Sequence, residues 1–152
     1  MIRGDAPVFL DAECATIGDP RFDVAFCLNH LVLKAFHLPR LRADLRAELT
    51  GFWATYARHI DWQDPGKLNH GVATLLPMLM LARVDGKSLV EYLDATTADL
   101  VRTVALRLIA TPPKTLDGVI DHIFKHLKGR NRVRNHIRTG PPCVGFTWQP
   151  NR

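Results

Sequence analysis

Pro7-Val8-Phe9-Leu10-Asp11-Ala12-Glu13, followed after a short gap by Gly18-Asp19-Pro20-Arg21-Phe22-Asp23-Val24-Ala25, is the stretch on which the reading of this chain turns. The first run is short, apolar and preceded by the turn-like Gly4-Asp5, so it is expected to be a strand leaving a tight turn. Met1 to Arg3 would be the stub of its hairpin partner. An aspartate closing such a strand is a rigidly held, hard oxygen ligand facing the loops, suited to a Mg²⁺ ion carrying a phosphate. Gly18-Asp19-Pro20 then punctuates the chain, with Asp19 as a helix cap and Pro20 at the first helical position.

The helix that follows, from Arg21 to Leu38, is apolar on nearly every side: Phe22, Val24, Phe26, Leu28, Leu31 and Phe36 point around its whole circumference. A helix without a broad polar face is expected at the centre of a fold, with Phe26, Leu28, Leu31 and Val32 inaccessible. Pro39 ends it. Outward from there, Leu41, Leu45, Leu49, Phe52, Tyr56 and Ile60 step by three and four, an amphipathic helix stopped near Asp64-Pro65-Gly66. Leu68, Val72, Leu75, Leu76 and Leu79 make another, with Pro77 inside it as an expected kink or break. A helix capped by Thr96 or Thr97 carries Leu100, Val101, Val104 and Leu108 and closes at Pro112-Pro113. The last is expected over about Leu116 to Leu127. Met78-Leu79-Met80 reads as core filling.

At 152 residues, with 47% hydrophobic residues, the chain is long enough for one packed domain and too apolar for a disordered one. No window approaches the roughly 18 apolar residues of a membrane span, so no membrane partner is expected. Cys14, Cys27 and Cys143 share no metal or redox spacing and suit free thiols in a reducing cytosol, so a cytoplasmic location is expected. The net charge of +5 is unevenly placed. Lys125, Lys128, Arg130, Arg132, Arg134, Arg138 and Arg152 follow the last acid, Asp121; without them acids outnumber bases. The body therefore gives no reason to expect a nucleic-acid partner. The organisation expected is a mainly α body, residues 1–128, and a basic, disordered tail, residues 129–152.

The strand, its terminal Asp11, the acidic Glu13, the Gly-Asp-Pro turn and the spaced Asp23 opening an apolar helix together resemble the aminoglycoside phosphotransferase family. These kinase-like enzymes also include choline and homoserine kinases. Arg83-Val84-Asp85-Gly86-Lys87-Ser88, with Tyr92-Leu93 after it, is similar to bacterial members, and the resemblance spans about Gly4 to Pro113. It implies the C-terminal helical lobe of a protein-kinase-like fold with a short N-terminal β-hairpin. It also implies γ-phosphoryl transfer from ATP or GTP to the hydroxyl of a small molecule in a full-length relative, with Mg²⁺ as cofactor. Position by position, Asp11 matches the metal-binding aspartate, the counterpart of that in the kinase Asp-Phe-Gly motif. Glu13 matches a second acid whose role varies. Asp19 and Asp23 match acids that hold the loops and the start of the buried helix, supports for the site and not proton carriers.

The family also uses a strand lysine, a His-Gly-Asp type catalytic loop and a second metal ligand, an asparagine, all before the Asp11 strand. None occurs in this chain; His70-Gly71 continues into Val72. The resemblance thus implies a truncated enzyme with no catalytic residue of its own, inactive alone and binding no cofactor tightly. Self-association through an exposed N-terminal face is expected in place of the missing lobe. The alternative is a non-enzymatic helical binding module whose basic tail engages an acidic partner.

Three smaller signals read as structural. His122 and His126, four apart on a helix, lack a third metal ligand. His30 and His37 suit the core or its rim. Trp53 and Tyr56 suit an inward helix face. Removing residues 130–152 is expected to leave the melting temperature nearly unchanged and to abolish retention on heparin, as thermal melts and heparin chromatography of the two forms would show.

Overall fold

The computed structural model describes residues 17–134, the side chains through Lys128, and two strand stubs near the N-terminus. Those stubs, β1 (Ile2–Arg3) and β2 (Ala6–Pro7), pair antiparallel with Ile2 opposite Pro7. Residues 8–16, with Asp11 and Glu13, lie outside the described set, as does the tail beyond Arg134, with Trp148. The rest is helical: α1 (Pro20–His37), a 3-10 turn (Pro39–Leu41), α2 (Arg42–Ala57), α3 (Pro65–Asp85), α4 (Ala95–Ala110) and α5 (Leu116–Arg134). The mainly α expectation holds. Among the described residues, no helix is long and apolar enough to cross a membrane.

Aspartates start three of the helices. Asp19, Asp64 and Asp94 accept hydrogen bonds from the backbone N–H of Arg21, Gly66 and Thr97, satisfying donors that the first helical turn leaves orphaned. The cap of α4 is therefore Asp94, not Thr96 or Thr97; its extended backbone and short carboxylate reach the Thr97 N–H, and the threonines fall inside the helix. Pro20 and Pro65 occupy first-turn positions where no N–H is needed. Pro77, by contrast, neither breaks nor ends α3, which runs unbroken through it. Its ring is buried, so packing offsets the hydrogen bond that the missing N–H costs.

α3 is the central helix. It packs along α1 on one side and α4 on the other, and also meets α5, while α2 folds back onto α1 and reaches α5. The core joins Val24, Leu28 and Val32 of α1 to Val72, Leu76 and Met80 of α3, and Val104 and Leu108 of α4 to Ile120 and Ile123 of α5. Arg42, at the start of α2, donates to the Ala35 carbonyl of α1 and the Leu127 carbonyl of α5, tying three helices at one corner. Asn69 of α3 accepts from the Leu116 N–H and so holds the start of α5. One turn along α2, Arg46 pairs with Asp121 and lies over the Phe124 ring.

Two expectations need correction. α1 is not buried all round: Phe22 and Phe26 are 50% and 39% exposed, and Leu31 is half-buried. At about 100° per residue, Phe22, Phe26, His37, His30 and Lys34 share one strip of α1 that is exposed or half-buried, except at Leu33, which falls among them and is fully buried. Apolar composition marked the faces that bury, but it did not distinguish them from this strip. α5 runs seven residues past Leu127, through Arg134, although its apolar stripe ends at Leu127. Once the stripe is docked and the helix nucleated, each further residue adds a backbone hydrogen bond at little cost, so the backbone continues past it. A tail deletion that spares the helix therefore begins after Arg134. Met78 is also turned outward, whereas Met80 is fully buried.

Leu28→Ala, at a fully buried position, is expected to cost about 2–5 kcal/mol, whereas Phe26→Ala on the open strip should cost distinctly less. Denaturant titration of both variants checks the contrast. A second prediction concerns His122, whose ring is held below its ordinary 6.5, first by burial and then by the positive charge of His126, Arg107 and Lys125. The folded chain then binds fewer protons there than the unfolded chain. The resulting stability is complete above the ordinary value and erodes as the pH falls from it toward the lowered folded one. Unfolding measured across that interval should lose stability more steeply for the parent chain than for His122→Gln.

Candidate functional site

Asp19 and Asp23 are the two sequence-predicted site residues within the described set. Asp19 caps α1, and both of its carboxylate oxygens are engaged. Oδ1 accepts from the Arg21 N–H at 2.9 Å, and the Arg21 Nε lies 2.8 and 2.7 Å from Oδ1 and Oδ2. Arg21 Nη2 completes a fork-like ion pair. The Arg21 hydrogen bonds hold the Asp19 carboxyl below the usual carboxylate range. It is therefore ionised near neutral pH and a poor proton donor. Asp23 lies one turn further along α1, exposed at the positive end of the helix dipole, and makes no ion pair among the described residues.

Arg21 has a second role. Its side chain crosses α3 at Gly71: a Cβ there would sit 2.1 Å from Arg21 Cδ, so only glycine lets the guanidinium stem lie flat on the helix. The Asp19–Arg21 pair thereby walls an open cavity of about 430 Å³, completed by His70, Gly71, Thr74, Leu75 and Met78. His70 Nδ1 is 3.1 Å from the Lys114 carbonyl, which can only accept; that nitrogen therefore donates, and Nε2 is the acceptor of the neutral ring. The cavity thus offers a neutralised ion pair, an imidazole and a hydroxyl beside the thioether of Met78. It can hydrogen-bond a polar ligand through these groups.

Among the described residues, no three His, Cys, Asp or Glu side chains converge in a metal-ligating group. The two histidines of α5 illustrate why pairs alone do not suffice. Their rings stack at 4.4 Å, but His126 Nδ1 is 2.9 Å from the His122 carbonyl and its Nε2 is 3.0 Å from Arg107 Nη1. Both nitrogens of His126 are used within the protein. His30 is half-buried and His37 exposed, so both are rim residues. Cys27 is a free, exposed thiol.

Sequence reading did not single out Arg21, and it set His70-Gly71 aside because Val72, not an aspartate, follows. A glycine beside a histidine within an otherwise apolar helix was the available signal, but what crosses it is set by α1. Comparison with family models, curated proteins and solved structures finds no match.

Asp19→Ala is expected to lower the melting temperature by removing the cap and releasing Arg21 from its position over Gly71. Asp19→Asn should retain most of the cap and lose less. Melts of both variants, with Arg21→Met as a reference for the ion pair alone, check this ordering.

Proposed function

We propose that this chain is the C-terminal helical lobe of an aminoglycoside-phosphotransferase-like small-molecule kinase. In a full-length relative, that enzyme would transfer the γ-phosphoryl group of ATP or GTP to a hydroxyl. The observation that carries the reading is the Gly18-Asp19-Pro20 turn. Eight residues after Asp11, a fully engaged aspartate starts a helix whose buried face runs against the central α3. An acid so engaged can hold a loop in place but cannot carry a proton, the role the resemblance gives Asp19. On this reading the Pro7–Leu10 run belongs to the hairpin of a kinase-like lobe. Asp11, with Glu13 near it, would take part of the Mg²⁺ shell, where the metal neutralises charge on the phosphates. Phe22 and Phe26, exposed on α1 directly after the turn, suit a surface that another lobe or a second copy covers.

The 152 residues contain no His-Gly-Asp loop to orient the hydroxyl and accept its proton, a contribution worth about 10²–10⁴-fold. The chain alone is therefore expected to show no nucleotide turnover in a coupled assay. Mg²⁺-dependent turnover lost in Asp11→Ala would show that it is a complete enzyme. The family reading itself is tested by the DNA immediately upstream of the Met1 codon. An in-frame His-Gly-Asp with an asparagine about four or five codons later is expected, and a frame without them overturns it.

A further inference from the structure

The cavity beside the Asp19–Arg21 pair is built on the outer face of α3, and its polar groups each keep one function free. His70, Thr74 and Met78 follow one another at four-residue steps, and Gly71 and Leu75 form the adjoining row. The floor is therefore one face of a rigid helix, about 12 Å long. Arg21 of α1 is the wall. A Cβ at Gly71 would sit 2.1 Å from its Cδ and 3.0 Å from its Nη1, so the guanidinium lies directly over this floor, beside His70. At the far end Met78 is 46% exposed, which leaves its thioether open to a ligand.

The hydrogen bonds already made decide what remains. Arg21 gives Nε and Nη2 to Asp19, while its Nη1 makes no hydrogen bond among the described residues. His70 donates Nδ1 to the Lys114 carbonyl, which leaves Nε2 as an acceptor. Thr74 gives its hydroxyl proton to the His70 carbonyl at 2.9 Å, so its oxygen accepts as well. An anion would compete with Asp19 for Arg21, and a cation with Arg21 for Asp19. A metal would find one imidazole and no converging group of ligands among the described residues. The set therefore suits a neutral ligand with an acceptor for Nη1 beside N–H donors for Nε2 and the Thr74 oxygen. The surrounding surfaces select a flat body: a guanidinium stacks on aromatic faces, and a thioether makes favourable contacts with a ring.

We propose that this cavity binds a small, uncharged heteroaromatic amine: a planar ring whose acceptor stands beside an amino group, as in an amino-bearing nucleobase. The acceptor meets Arg21 Nη1, the amino group donates to His70 Nε2 and the Thr74 oxygen, and the ring rests on Met78 and Leu75. The volume of about 430 Å³ lies toward the small end of ligand pockets and accommodates one such ring system. Gly71 is the condition for the site, because any side chain there would lift Arg21 off the floor. The proposal does not rest on the phosphotransferase reading: Asp11, Mg²⁺ and phosphoryl transfer take no part, so either can fail alone.

The test is a titration of the whole chain with cytosine, followed by NMR of the His70 ring and Met78 methyl resonances. Pyrimidine, which keeps a ring nitrogen without the amino group, and acetamide, which keeps the hydrogen-bonding edge without the ring, are the comparisons. Saturable shifts with cytosine are expected, with each comparison weaker by about fivefold or more, the size of one lost hydrogen bond or ring contact. Thr74→Val should weaken cytosine about fivefold, and Gly71→Ala about tenfold or more, since it displaces a charged donor. Met78→Ala, at an exposed position, leaves folding intact even where Gly71→Ala disturbs the contact of α1 with α3, and it too should weaken binding. Shifts that do not saturate, equal affinity for pyrimidine or acetamide, or cytosine affinity unchanged in Thr74→Val and Met78→Ala alike would overturn the proposal.

Discussion

The face of α1 made by Val24, Leu28, Val32 and Phe36 has nowhere to go but against α3, and the remainder of the body is arranged around that contact. Burying four large side chains on each partner removes apolar surface from water and so stabilises the pair. α2 then returns along α1 because Pro39 stops the first helix and the 3-10 turn reverses the chain within a few residues. α4 and α5 close the other side of α3. Cutting back Leu28 or Leu76, both fully buried, therefore loosens the meeting point of the bundle.

Charge is used sparingly and mostly as fastening. Arg42 joins three helices through carbonyl groups at the end of α1 and within α5; the Ala35 carbonyl, four residues before Pro39, has no helical N–H to accept from. Arg102 ties Asp85 at the end of α3 to Asp99 on α4. Such pairs are solvent-exposed and contribute modestly to stability, but they fix the angle at which helices leave the bundle.

The Asp19–Arg21 pair shows how one short motif serves structure and site together. The same carboxylate that caps α1 turns Arg21 across Gly71, and this joins the start of the central helix pair to the wall of a cavity. A residue bound in this way cannot also exchange protons at neutral pH.

The helical class, the Asp19-Pro20 start of α1, the Pro39 stop and most apolar residues of the core were legible in the sequence, whereas the Asp94 cap of α4 was not. Those features are local: a proline lacks its N–H, an aspartate reaches the next turn, and a period near 3.6 marks a face. Which side of an apolar helix stays open was not legible, because Phe22, Phe26 and Leu28 are equally apolar and only the position of α3 separates them. Nor was the continuation of α5 beyond its apolar stripe, or the unbroken course of α3 through Pro77, where burial overrides a local breaker. The grouping of Arg21 with Gly71 lies furthest from the sequence. It joins residues 50 positions apart in the chain, and only the packing of α1 on α3, driven by apolar surface with no chemistry of its own, brings them together.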